Sequence, residues 1–159
     1  MADEKDEHYM RLAIRQMREA CLIEKSGGPF GAVIVRDGEI LAAAGNRVIT
    51  DHDPNAHAEV NAIREACGKL GTHDLSGAVL YSSCECCPMC YAAAYWARID
   101  KIYYAAAWDD YQDLFDDAEI SLDVARPHPL RLLAPEQLLR REAREVWREF
   151  RALPDGARY

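Results

Sequence analysis

Four of the six cysteines fall within seven residues, Cys84-Glu85-Cys86-Cys87-Pro88-Met89-Cys90, and no other stretch limits the fold so sharply. Cys87 and Cys90 are spaced C-x-x-C, and Pro88 stands where the first residue of a helix would be. Proline suits that place because its missing N–H would have no intrahelical partner there. A helix beginning at Pro88 makes Cys87 its cap and sets Cys90 three residues on, on the same face. Both sulfurs then lie where the helix dipole favours negative charge, which stabilises thiolates. The apolar run Ala78 to Ser82 reads as a strand leading into this loop, and Lys101 to Ala106 as a strand that follows the helix. Strand–helix–strand in that order implies a parallel pair with a right-handed crossover. The expected class is therefore α/β, a three-layer α/β/α sandwich around a central mixed β-sheet.

Two thiolates suit a soft divalent cation but do not complete a zinc site. His57 is the best third ligand, because Ala56-His57-Ala58-Glu59 opens a second expected helix, from about Ala56 to Leu70. Three protein ligands leave the fourth tetrahedral position to water, the pattern of a catalytic site. Zinc would lower the pKa of that water from ~15.7 to roughly 7, supplying a nucleophile at neutral pH. Glu59, two residues after His57, is placed to carry protons between that water and a leaving group. H-x-E followed by P-C-x-x-C is the signature of zinc-dependent nucleobase deaminases. The chain matches it except that Cys86 stands in place of the proline.

Composition narrows the partners. With 27 acidic and 19 basic residues the formal charge is −8, whereas nucleic-acid binders carry a basic footprint that displaces counterions from phosphates. The arginines near the C-terminus alternate with glutamates and leucines, as on a solvated helix face. A small uncharged substrate is favoured over tRNA or DNA. No apolar run reaches the ~18–20 residues of a membrane span, and the acidic, polar Met1 to Glu7 is unlike a secretory signal. A cytoplasmic location follows as the expectation, with the cysteines reduced, as thiols or metal ligands.

Along the chain, Asp6 to Lys25 has the three- and four-residue apolar steps of a helix, ended by Ser26-Gly27-Gly28-Pro29. Phe30 to Val35 and Glu39 to Ala44 flank Asp37-Gly38, a strong hairpin signal. The helix from Pro88 to about Ala97 is apolar nearly all round and is expected to be buried. After Ala107 comes an acidic stretch interrupted by Tyr111 and Phe115. A short edge strand is expected over Leu130 to Leu133, and a last amphipathic helix over Pro135 to Ala152. Met1 to Tyr159 reads as one domain.

With these motifs in place, the chain resembles the cytidine deaminase-like superfamily and, within it, the small zinc-containing guanine deaminases of bacteria. The likeness rests on Gly27 to Val35, Asp53 to Val60, Tyr95 to Arg98, Phe115-Asp116-Asp117 and the terminal Tyr159. It implies that His57, Cys87 and Cys90 hold one zinc ion and that Glu59 is the proton shuttle. It further implies that Asn46 and the backbone of Ala56 hydrogen-bond the base and that Phe30 packs against its ring. An aspartate after the fourth strand would handle the amino group. Asp110 is the nearest match, with Asp109 and Asp113 as alternatives. The tail from about Pro154 to Tyr159 would close over the site, in that family from the partner subunit of a domain-swapped homodimer.

The implied reaction is hydrolytic deamination of a purine, guanine before others. Guanosine, cytosine and adenosine are the rival substrates, since pocket shape rather than the zinc motif selects among them. The non-enzymatic competitor is a structural zinc module closed by Cys84 or Cys86 as a fourth ligand.

Overall fold

The computed structural model describes residues 3–159 and divides into two compact units, one up to Asp117 and a second from Ala118 to Tyr159. The first opens with helix α1 (Glu4–Arg18). Asp3 caps it through the N–H groups of Lys5 and Asp6, while the Asp6 carboxylate accepts the N–H of Asp3. That reciprocal cap starts the helix two residues earlier than its apolar pattern suggests. A single π turn, Glu19–Ile23, then widens and ends it.

Strands β1 (Gly31–Arg36) and β2 (Glu39–Gly45) form the expected hairpin. Asp37 and Gly38, at φ of 53° and 80°, make the turn between them. This left-handed pair matches the twist of the flanking strands. After the single-turn helix α2 (Val48–Asp51) come α3 (Ala58–Leu70), β3 (Ala78–Cys84), α4 (Pro88–Trp96) and β4 (Lys101–Ala106). The sheet order is β2-β1-β3-β4, antiparallel except for the β3–β4 pair. It is the mixed sheet expected from strand–helix–strand order.

Side-chain alternation along the strands sorts the core into two layers. Val33, Val35 and Tyr81 pack with Ala13 of α1. Ala32, Ile34 and Leu80 pack with Ala58, Ala62 and Ala66 of α3 and Ala94 of α4. Helices thus cover both faces, as an α/β/α sandwich requires. Asp6 also ties α1 to the sheet by accepting hydrogen bonds from Tyr81 (2.6 Å) and Tyr103 (3.2 Å).

Three expectations are corrected. Helix α4 is not buried all round: Cys90 and Ala94 are buried, but Tyr91, Tyr95 and Trp96 are 60%, 76% and 65% exposed. The apolar composition of α4 therefore marks one core face and one open face. Leu130 to Leu133 is no strand, because the turn His128–Leu130 leads into irregular chain there. Asp123 accepts the N–H of Leu132, and Arg131 donates to the carbonyls of Arg126 and Val124, so local bonds replace a ladder. The last helix, α6, is Arg140–Ala152, and Leu138 and Leu139 precede it.

The second unit holds α5 (Ala118–Ala125) and α6, and neither helix has a buried residue. Among the described residues no helix is long and apolar enough to cross a membrane.

Candidate active site

The site forms where the N-termini of α3 and α4 meet the C-terminal end of β3. His57 is the N-cap of α3 and Cys87 the N-cap of α4, both in extended backbone conformation. Their side chains therefore project ahead of the helices rather than along them. Cys90, in the first turn of α4, is fully buried and donates its N–H to the Cys87 sulfur at 3.5 Å. Two helix dipoles point their positive ends at this point, which favours anionic ligands.

His57 Nδ1 lies 3.6 Å from Cys87 Sγ and 3.4 Å from Cys90 Sγ, and the three donor atoms fall within 4.8 Å of one another. A zinc ion at ordinary Zn–N and Zn–S lengths in tetrahedral geometry would separate such donors by about 3.6 Å. The donor set, one imidazole and two thiols, suits the same ion. The residues fit the metal.

Electrostatics prepare the pocket. The Cys87 thiol is lowered to about 4, because it accepts hydrogen bonds from Cys90 and His57. Cys90, sharing that bond as the donor, is pushed up, as burial and the nearby Glu59 charge also require. The contact with Cys87 raises His57 above its usual value. Without metal the trio thus holds one thiolate and retains protons that a cation would displace.

Glu59 is 4% exposed. Its Oε1 accepts a 3.0 Å hydrogen bond from Ser82, and its Oε2 one from Cys90 at 3.4 Å. Ser82 reaches it because residues 80 and 82 share the sheet face covered by α3. Burial raises the Glu59 carboxyl above its ordinary value. A carboxyl raised in this way holds a proton more readily than an exposed one, which suits proton transfer.

The remaining expected residues fall into place unevenly. The Phe30 ring meets Tyr111 and Phe115 edge-on, with centroids 5.7 and 5.1 Å away. Asn46 is 4% exposed, and its Oδ1 accepts the N–H of Val48 at 3.1 Å, so that bond does not use its Nδ2 group. Ala56 is occupied by its own loop. Its N–H bonds Asp53, and its carbonyl accepts from Arg47 and from the Asn61 amide. At the start of α3 the N–H groups of Ala58, Glu59 and Val60 have no intrahelical partner, since the first helical bond runs from Asn61 to His57.

Asp110 is exposed, and its side chain accepts the N–H of Ala107 at 2.9 Å. Asp109 and Asp113 are exposed as well. Asp117, in contrast, is half-buried; burial and then the Cys87 charge raise its carboxyl, against a counteracting pull from His57. Asp117 closes the Phe115-Asp116-Asp117 motif of the sequence. Tyr159 is exposed and belongs to the second unit. Cys86 packs against the core cluster, and its sulfur is outside the group of donor atoms that His57, Cys87 and Cys90 bring together.

A soft donor trio beside a buried carboxylate fits a zinc-dependent hydrolase of the amino-group-removing class. The chain belongs to the family described by the cytidine and deoxycytidylate deaminase zinc-binding region, which matches residues 3–106. It is 47% identical to guanine deaminase of Bacillus subtilis over 128 residues, spanning 78% of this chain and 82% of that protein. A solved structure of guanine deaminase from Bacillus subtilis superposes with a TM-score of 0.91 at 39% identity, covering 99% of both chains. A tRNA-specific adenosine deaminase of Agrobacterium fabrum is 46% identical over 99 residues, but these span only 62% of this chain and 64% of that one. A structure solved in complex with 2,6-diaminopurine matches at 30% identity and a TM-score of 0.65, over 100% of this chain and 86% of that one. Relatives of this chain thus bind small heterocycles.

Proposed function

We propose that this protein converts guanine and water to xanthine and ammonia. The observation that carries the chemistry is Glu59, buried against the zinc ligand Cys90 with a raised pKa. The choice of guanine is supported by similarity to guanine deaminase that runs through nearly the whole chain, including the segment after Asp117.

His57, Cys87 and Cys90 would hold the zinc, which supplies a water made acidic enough to attack at neutral pH. Glu59 accepts that water's proton and passes it to the ring nitrogen beside the amino-bearing carbon. Once the oxygen has added to that carbon, Glu59 takes the proton still on the oxygen and delivers it to the amino group. The carbon–nitrogen bond then breaks, ammonia departs and the ring carbon keeps the oxygen as a carbonyl. Ser82 keeps one Glu59 oxygen occupied and leaves the other facing the metal ligands. Asn46 Nδ2 and the Ala58 N–H offer donors to the base, and Phe30, backed by Tyr111 and Phe115, offers a ring face. We assign the second carboxylate role to Asp117 rather than Asp110, since Asp117 couples to Cys87 and His57.

The protein is further read as a cytoplasmic homodimer whose second unit covers apolar surface on a second copy. Support comes from Leu130, Leu132, Leu133 and Leu138, each at least 67% exposed. Such contiguous apolar exposure marks an interaction surface. Closure of the partner's site by the tail ending in Tyr159, as the family resemblance implies, belongs to this reading.

The deciding experiment measures ammonia release from zinc-loaded protein given guanine, guanosine, adenine, adenosine, cytosine, cytidine or a tRNA anticodon stem. Turnover of guanine above all others is expected. Preference for the tRNA substrate would move the assignment to the adenosine deaminases, and silence with zinc bound would end it.

A further inference from the structure

The turn that ends the first helix converges on Asn46. Because the helix widens into a π turn, the Ala20 carbonyl is released to accept the Ser26 N–H at 2.9 Å. Ser26 is 2% exposed, and its hydroxyl donates to the Asn46 carbonyl at 2.8 Å. The Ser26 carbonyl accepts the N–H groups of Ile49 and Thr50, at 3.0 and 3.2 Å, which holds α2 behind Asn46. From the other side, the Asn46 N–H donates to the Phe30 carbonyl at 3.0 Å. The next residue, Arg47, donates its N–H to Ala56 at 2.9 Å, one residue before the ligand His57.

Gly27 completes the cradle. A Cβ there would overlap Asn46 Oδ1 and lie 2.8 Å from its Cγ, so the carboxamide occupies the space a side chain at position 27 would need. Asn46 is thus held at its N–H, its carbonyl and one end of its amide, and only Nδ2 is left to turn toward a ligand.

We propose that Ser26 is a positioning residue for substrate selection. Its hydroxyl fixes the Asn46 backbone so that Nδ2 meets the base at one angle, while Gly27 leaves the amide the room to do so. Ser26 touches neither base nor metal and acts only through Asn46. The proposal deepens the reading of Asn46 as a base contact and rests on it.

The test is a double-mutant cycle in the zinc-loaded full-length protein, with Ser26→Ala, Asn46→Ala and the pair, reading KM and kcat for guanine alongside zinc content. A lost hydroxyl–carbonyl bond should raise KM about three- to ten-fold, more than it lowers kcat, with zinc content near one per chain. In the Asn46→Ala background, Ser26→Ala should add almost nothing, because its effect passes through the missing amide. An undiminished effect in that background would make Ser26 a merely structural residue and overturn the proposal. So would a KM unmoved by Ser26→Ala while Asn46→Ala raises it. An Asn46→Ala protein with unaltered KM would instead remove Asn46 from the substrate site, and the proposal would fall with that reading. Should Ser26→Ala not fold, Ser26→Cys keeps the volume but weakens the donor, and the same cycle applies with a smaller rise in KM.

Discussion

The two units of the chain spend their apolar residues in opposite ways. Up to Asp117, Ile34 and Leu80 are fully enclosed between the sheet and its helices. From Ala118 on, α5 and α6 have no buried residue, and Leu133 is 89% exposed. A helix with an apolar side and no core beneath it gains little from that side alone. The contrast teaches where rigidity is needed. The metal donors and Glu59 sit on helix ends clamped to a finished core, while the later segment leaves its leucines exposed.

The largest effect should come from the centre of the finished unit. Glu59→Gln is expected to retain zinc and cut turnover by about 10²–10⁴, measured by ammonia release beside metal analysis; a fully active variant would sink the mechanism. Next, Leu80→Ala should cost about 2–5 kcal/mol in denaturant unfolding. Leu133→Ala in dilute protein should stay within about 0.5 kcal/mol. If the cost of Leu133→Ala grows with protein concentration, a second copy buries that surface. If it stays small at every concentration, the dimer reading loses its support.

Proton uptake gives a finer contrast. Cys87 is lowered to about 4, whereas Cys90 and His57 are both raised and give up their protons less readily to a metal. Zinc added to stripped protein at pH 7 should therefore release roughly one to two protons per ion, read with an indicator dye; release near zero would contradict the charge state described. A last contrast concerns the metal-free protein at acid pH. The folded Cys87 pKa, about 4, lies below its ordinary value of 9.0. Its stabilisation is then complete above pH 9 and lost progressively as pH falls through 4. Cys87→Ser should remove that acid-side slope from urea midpoints measured over this range, and an unchanged slope would assign it to other groups.

Local rules made much of the first unit legible. Pro88 after Cys87 marked a helix start, and β4 was read to the residue as Lys101–Ala106. The trio His57, Cys87 and Cys90 followed from spacing because each ligand belongs to a helix start, whose geometry is local. The Asp117 carboxyl is set apart by burial and by the Cys87 charge, which no spacing reports. The backbone of Ala56 looked available until the loop folded and its N–H and carbonyl were taken by Asp53, Arg47 and Asn61.

The sequence by itself determined the donor trio and the strand–helix order, since capping, turn chemistry and side-chain period act over a few residues. Only the tertiary structure decided which face of α4 is open, which aspartate stands near the metal ligands, and how Ser26 and Phe30 grip Asn46 from distant segments. Those outcomes depend on burial and on hydrogen bonds between residues far apart in the chain, and such quantities exist only once the core has closed.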